Sequence, residues 1–253
     1  MKLLSIFVLV GIAHAQPAFE VASVKPAKTP NGVSGGCHGI DSRYAPNEAA
    51  SAPPLGRCVI KSGRLSHMLG IAFRLRSMGL IKGGPDWIMT GDDRFNVEAK
   101  AEDPTKATEE QLLRMLQALL IERFQLKFHR ESKDMPGFEL VVAKNGSKLN
   151  DAKGDDVSAS FSPSGKPFPG QLNTLTARAY SMGKLADLLS GFGQPVVDKT
   201  GLTGAYDFTL AWDDTNGPQL STALQQQLGL KFEAQKVPVS FLVIESAEKP
   251  TAN

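Results

Sequence analysis

The chain has 253 residues, of which 42% are hydrophobic, and its 28 Lys and Arg residues are nearly balanced by 26 Asp and Glu residues. This apolar fraction is close to the globular norm and excludes a generally disordered chain, while the absence of a triplet period among the 24 glycines excludes a collagen-like rod. A net charge of +2 provides no strong field for gathering polyanions, so we expect no nucleic-acid partner.

Residues 1–15, MKLLSIFVLVGIAHA, have the parts of an export signal. Lys2 supplies the positive charge, an apolar stretch follows, and Ala13-His14-Ala15 matches the small–x–small pattern that signal peptidase accepts. A membrane anchor needs roughly 20 apolar residues, and Gln16-Pro17 interrupts this stretch too early. We therefore predict cleavage after Ala15 and a periplasmic or extracellular protein with no transmembrane segment after cleavage.

Cys37 and Cys58 are the only cysteines, and export places them in an oxidising compartment that favours a disulfide. Such a bridge closes a loop of about 20 residues, to which the chain-entropy model assigns roughly 3 kcal/mol. The alternative is a metal site that adds His38, but two cysteines and one histidine are an incomplete ligand set. We predict the disulfide, and we expect no metal and no cofactor.

A first α+β module is predicted over 16–144, with an extra N-terminal strand around Val21 and Val24. Its other elements are a strand over 57–64, a helix over 66–74, a strand over 94–101, a helix over 109–124, and strands over 126–129 and 138–142. Apolar residues alternate with polar ones over 94–101, which is typical of a half-buried strand. Thr108 and Gln111 have the spacing of a capping box that begins the second helix.

A second module is predicted over 172–253, with the same order of elements. It has a strand over 175–180, a helix capped by Ser181, strands over 195–198 and 206–212, a helix between Gly217 and Gly229, and strands over 230–233 and 241–244. The fold class is therefore α+β, with two repeated β-α-β-β-α-β-β modules whose helices pack on one face of mostly antiparallel sheets. The Gly-, Ser-, Asp- and Pro-rich segment 145–171 is predicted to be a linker or surface loop.

No set of residues in the sequence predicts a catalytic centre. Asp198-Lys199-Thr200-Gly201 resembles the start of the phosphorylation motif of cation-pumping ATPases, but Leu202 departs from that motif. A turn in which Asp198 and Thr200 bond the local backbone is favoured. The histidines that remain after signal removal, His38, His67 and His129, have no Ser or Cys partner implied by spacing, and a carboxylate pair distant in sequence stays open.

Two further features are compatible with ligand binding. Trp87 follows a Gly-Gly-Pro turn, where core packing beneath the turn is favoured and a ligand contact is the alternative. Arg74, Arg76 and Lys82 form a small basic group, which suits an anionic ligand but is also ordinary for a mixed charged surface.

The chain resembles one particular family. The segments that carry the resemblance are FEVASVKP, GGPDWI with DRFNVEAKA, LLIERFQLKFHRESKDMPGFELVVAKNG, PVVDKTGLTGAYDFTLAW and LQQQLGLKFEAQKVPVSFLVIESAEKPTAN. They are similar to a large paralogous family of secreted soil-bacterial (acidobacterial-type) proteins of unknown function, whose module is also found appended to BlaR1-type membrane metallopeptidases. The resemblance covers nearly the whole mature chain and implies no catalytic residues.

These observations predict a secreted, non-enzymatic binding module of the cell envelope. Its partner is expected to be an envelope protein, a peptide or a glycan, held on a sheet edge or in the cleft between the two modules. The alternative is a secreted hydrolase with a dispersed carboxylate or histidine site. A deep pocket with converging acids or histidines favours the hydrolase, and a shallow apolar cleft or an open strand edge favours binding.

Overall fold

The computed structural model describes residues 18–27, 32–42, 51–154, 157–162, 172–213 and 217–250. In these ranges the chain has a mixed α+β fold with four α-helices and three four-stranded, mostly antiparallel sheets. The predicted export signal lies outside the described residues. None of the helices in these ranges combines the length and apolar character needed to span a bilayer.

The strands and helices are numbered in chain order. The strands are β1 (Val21–Pro26), β2 (Ser34–His38), β3 (Arg57–Gly63), β4 (Ile81–Gly83), β5 (Phe95–Lys100), β6 (Lys127–Val142), β7 (Asn150–Asp151), β8 (Ser158–Ser162), β9 (Asn173–Tyr180), β10 (Val196–Asp198), β11 (Tyr206–Trp212) and β12 (Leu230–Ser246). The helices are α1 (Leu65–Ala72), α2 (Glu109–Arg123), α3 (Met182–Leu189) and α4 (Leu220–Ala223), and a π-helical turn over Leu224–Leu228 continues α4.

The first outer sheet has the strand order β1-β5-β3-β2, and all its pairs are antiparallel. The alternation predicted for β5 is confirmed, because Phe95, Val97 and Ala99 are buried while the residues between them are not. Helices α1 and α2 cover this sheet with a buried leucine face. The predicted capping box is also confirmed, since the Gln111 N–H donates to Thr108 Oγ1 at 3.2 Å and the Thr108 N–H donates to Gln111 Oε1 at 2.9 Å.

The predicted disulfide is confirmed in this sheet. Cys37 on β2 and Cys58 on β3 are directly opposite each other in the register and are covalently joined. Both are buried, and the bridge fastens the edge strand β2 to the strand beside it.

The second outer sheet has the order β7-β11-β9-β8 and is also antiparallel throughout. Helices α3 and α4 cover it, and the Lys184 N–H donates to Ser181 Oγ at 3.3 Å as the predicted cap of α3 requires. Strands β7 and β8 lie within 145–171, so the described part of this predicted linker adds two strands to the sheet.

The central sheet has the order β10-β6-β12-β4 and draws on both halves of the chain. Strands β6 and β12 form a long antiparallel ribbon, from Lys127 opposite Ser246 to Val142 opposite Leu230. The short strands β4 and β10 add to the ribbon in parallel, β4 beside β12 and β10 beside β6. One end of the ribbon completes the first core and the other end completes the second, which joins the halves.

The ribbon corrects one expectation. We predicted two short strands at 126–129 and 138–142 and two more at 230–233 and 241–244, whereas each pair is one continuous strand. The sequence pattern hid this because the middle of β6 is polar and both strands contain a proline there, Pro136 and Pro238. In this middle part each strand pairs only with the other, and a proline is tolerated where its nitrogen faces an open edge.

Candidate functional site

A groove with a volume of about 640 Å³ lies over the middle of the ribbon, between the two halves. Its walls are two connections, the one from α1 to β4 and the one from α3 to β10. The lining residues are Arg76, Ser77, Gly79, Leu80, Lys82, Lys133, Asp134, Met135, Ser190, Gly191, Gly193, Pro195, Val239 and Phe241.

The groove reaches the outer edge of β6. Lys133, Asp134 and Met135 all line it, although successive strand side chains point to opposite faces. Contact with three residues in a row therefore places the groove along the edge of the strand as well as over one face. In the described part of the chain, β10 covers this edge only at Phe138–Leu140, so the edge beside Lys133 to Met135 is unpaired.

The floor of the groove is apolar. Val239 and Phe241 alternate along β12 and belong to a small buried cluster with Val237, against which Leu80 packs. Met135 lies directly opposite Val237 on the neighbouring strand and is 37% exposed, so an apolar side chain faces the open space. A ligand that covers this floor removes apolar surface from water, which stabilises the complex by about 25 cal/mol per Å².

The walls of the groove leave main-chain atoms accessible. A Cβ atom added at Gly191 or Gly193 meets nothing within 4 Å, and one added at Gly79 meets only the Ser77 hydroxyl at 3.4 Å. Gly193 also has a φ of 155°, a conformation that L side chains rarely adopt. The wall formed by the α3–β10 connection therefore offers peptide groups, rather than bulky side chains, to the groove.

Cationic side chains stand around the floor. Lys82 Nζ lies 5.4 Å from the centroid of the Phe241 ring, which brings a charge and the apolar floor together. Arg76 crosses from the first half to the second, where its Nη1 donates to Ser190 Oγ at 2.7 Å and pairs with Asp187 at 3.1 Å. The surface therefore combines apolar, cationic and main-chain polar groups.

A family model for proteins of unknown function, DUF3738, matches residues 66–247, well over half of the chain. The chain belongs to the DUF3738 family. A comparison with curated proteins and one with solved structures found no significant match. The matched range includes every residue that lines the groove, whereas Cys37 and Cys58 of this DUF3738 protein precede it.

The three histidines in the described part of the DUF3738 protein each have a different partner. His38 Nδ1 lies 2.6 Å from the Pro53 carbonyl oxygen, and His129 Nδ1 lies 2.8 Å from Glu245 at the surface. The Arg64 N–H donates to His67 Nδ1 at 3.3 Å, at the start of α1. Burial, together with the charges of Arg64 and Arg94, lowers the pKa of His67. Among the described residues, no three His, Cys, Asp or Glu side chains are grouped so that they could hold a metal ion.

Trp87 packs against the first core from a short 3₁₀ turn over Asp86–Ile88. Its ring stacks on Phe124 at 6.2 Å and meets Phe95 edge-on at 6.3 Å, and Lys249 Nζ lies 5.8 Å from it. The ring is half-buried and does not line the groove. The favoured interpretation, packing beneath the turn, agrees with these contacts, and the ligand contact at Trp87 stays a prediction.

The remaining motifs take local roles in the DUF3738 protein. The Thr200 N–H and hydroxyl both donate to Asp198 Oδ1, at 2.9 and 2.8 Å, so this segment forms the predicted turn. Of the basic group Arg74, Arg76 and Lys82, the last two line the groove, while Arg74 faces Glu109 at 3.8 Å. The sequence pattern did not identify Lys133, Met135 and Phe241 as groove residues. The one available signal was the proline in the middle of each ribbon strand.

Proposed function

We propose that this DUF3738 protein is an exported, non-enzymatic binding module that holds an extended peptide segment of an envelope partner in the groove. The observation that carries the proposal is the unpaired edge of β6 beside Lys133 to Met135, which opens into a groove with an apolar floor. Main-chain hydrogen bonds to such an edge supply affinity, and the floor supplies contacts for alternate side chains of the segment.

We further propose that the two halves are related modules and that the groove lies on their pseudo-twofold axis. The strand orders β1-β5-β3-β2 and β7-β11-β9-β8 correspond position by position, and β4 and β10 take equivalent places beside the ribbon. Asp134 and Pro238 are directly opposite each other at the centre of the ribbon. Leu242 pairs with Ile81, and Phe138 pairs with Val196, in the same parallel manner.

A shared backbone irregularity supports the relation between the halves. Ser62 at the end of β3 and Ala179 at the end of β9 both have positive φ, 53° and 46°. The Ser62 N–H donates to Asn96 Oδ1 at 2.9 Å, and the Ala179 N–H donates to Asp207 Oδ1 at 2.8 Å. Non-glycine residues seldom adopt this conformation, so two instances with matching side-chain acceptors favour a common origin.

Export is proposed on the signal-like residues 1–15 and is compatible with the disulfide, since such bonds persist in oxidising compartments. The relation to paralogous soil-bacterial proteins and to BlaR1-type peptidases stays a proposal carried by the resemblance.

Selection from a random peptide display library tests the binding function. The bait is the protein from Gln16 onward, and the key comparison is with Gly191→Trp, whose side chain fills the groove without backbone strain because a Cβ there meets nothing within 4 Å. Gly183→Trp is the matched control, since Gly183 is equally open but lies on α3 outside the groove. We expect selected peptides to bind the native protein and Gly183→Trp alike and to lose binding to Gly191→Trp.

Hydrogen exchange on the complex locates the ligand. We expect slower amide exchange over 131–136 and 190–195 when a selected peptide is bound, because these segments form the edge and the wall of the groove. Equal binding to Gly191→Trp, or protection confined to other segments, refutes the proposed site. Cleavage of the peptides by the native protein supports the hydrolase instead.

A further inference from the structure

The structure assigns a chemical class to the ligand: we infer that the groove selects an acidic peptide. Every second residue of this peptide is either acidic or apolar, so both kinds of side chain face the groove. This inference rests on the proposed function and specifies its partner. It combines the charges around the groove with the apolar character of its floor.

Cations outnumber carboxylates among the groove residues. Arg76, Lys82 and Lys133 line the groove, and Asp134 is the one acidic lining residue in the described part of the chain. Asp134 is also exposed and opposite Pro238 in the register, on the face of the ribbon away from Phe241 and Val239. On the side that the ligand covers, two carboxylates accompany the cations: Glu131, directly opposite Phe241, and Asp187. Each of them pairs with one cation, Lys133 or Arg76, so Lys82 supplies the net positive charge of this side.

Lys82 and Lys133 are available to a ligand. Lys82 makes no ion pair within the described part of the chain and lies over the Phe241 ring at 5.4 Å. Lys133 pairs with Glu131 at 3.2 Å, and their side chains are 60% and 44% exposed. Solvent-exposed pairs of this kind contribute roughly 0–1 kcal/mol, so a ligand carboxylate can replace Glu131 as the partner of Lys133 at little cost. Arg76 is less accessible, because its side chain is 30% exposed and is held by Asp187 and by the Ser190 hydroxyl.

The pattern of the peptide follows from strand geometry. Lys82, Lys133 and Met135 share one face of the central sheet with Phe241. Each of them is paired with a residue of β12 that lies two or four positions from Phe241 and therefore points to the same face. An extended segment presents only every second side chain to such a face. The acidic and the apolar residues must therefore all lie at every second position of the peptide. The residues between them face solvent.

Fluorescence anisotropy with synthetic peptides tests the inference on the full mature chain. One peptide has the repeat Glu-Ser-Leu-Ser, and its matched partner has Gln in place of Glu. We expect the acidic peptide to bind at least tenfold more tightly at low salt, with the difference shrinking as salt screens the charges. Lys82→Gln should weaken binding of the acidic peptide about twofold to fivefold and leave binding of the neutral one unchanged. The control is Lys236→Gln, since Lys236 lies opposite Pro136 on the other face of the ribbon.

The outcomes separate this inference from the proposed function. Equal affinity for the acidic and neutral peptides, with binding still lost in Gly191→Trp, overturns the acidic specificity and leaves the peptide groove standing. Binding of neither peptide, together with an unproductive library selection, overturns the proposed function as well. Binding of decanoate in place of the peptides overturns the assignment to a peptide, because an anionic amphiphile then satisfies the same floor and cations.

Discussion

Removing the disulfide tests the architecture of the first half most directly. In the variant Cys37→Ala with Cys58→Ala, the loop between these positions, which are separated by 21 in sequence, is no longer closed in the unfolded chain. The chain-entropy model gives about 3 kcal/mol for a loop of this length. We expect the free energy of unfolding to fall by that amount, because the variant keeps β2 beside β3 but loses the cross-link that limits the unfolded ensemble.

Urea unfolding, followed by tryptophan fluorescence and circular dichroism, measures this loss. Trp87 lies in the first core and Trp212 in the second, so Trp87→Phe and Trp212→Phe backgrounds report each core separately. Because the ribbon completes both cores, both signals should shift together. A reducing agent should destabilise the native protein equally and leave the double variant unchanged.

Two results refute this reasoning. A double variant as stable as the oxidised protein shows that the bridge does not limit the unfolded chain. A shift seen by Trp87 but not by Trp212 shows that the halves unfold independently, contrary to the continuous pairing of β6 with β12.

Three further predictions concern single side chains. The N–H groups of Ala179 and Lys153 hold the pKa of Asp207 below its usual value, so its stabilising contribution is present above about pH 4 and is lost as the pH falls further. Asp207→Asn should therefore show a weaker loss of stability than the native protein in urea titrations between about pH 4 and pH 2, and parallel losses contradict this. Asn96→Ala removes the acceptor for the Ser62 N–H and should lower the free energy of unfolding, measured in urea, by about 1 kcal/mol. An unchanged free energy of unfolding would show that this hydrogen bond does not stabilise the fold. Trp87→Ala should cost about 3 kcal/mol by thermal denaturation if the ring is a packing residue, and a loss below about 0.5 kcal/mol indicates an exposed role.

Local elements were predictable wherever periodicity or a cap defined them. The alternation in β5 and β11, the box of Thr108 with Gln111 and the cap at Ser181 each correspond to an observed element. These features depend on residues close together in sequence, which a pattern in one chain can reveal. The disulfide was predictable because only one pairing exists.

The central sheet and the groove were not predictable in this way. The polar middle of β6, around Ser132 and Asp134, has the composition of a loop and becomes a strand only because β12 pairs with it from the other half of the chain. Met135 and Lys133 become groove residues through that same pairing, and Arg76 does so through contact with Ser190. Long-range pairing of this kind leaves no periodic trace near the residues it brings together.

The shared ribbon also constrains the order in which this molecule acquires its structure. Strand β4 pairs with β12, and the paired residues are about 160 positions apart in sequence. Such distant pairings slow folding because the entropy of closing the loop is lost before the new contacts stabilise the chain. During synthesis, β4 therefore stays without its partner strand until residues 230–246 have left the ribosome. A chaperone that shields this waiting edge is therefore expected to raise the yield of native protein more than one that acts after synthesis is complete.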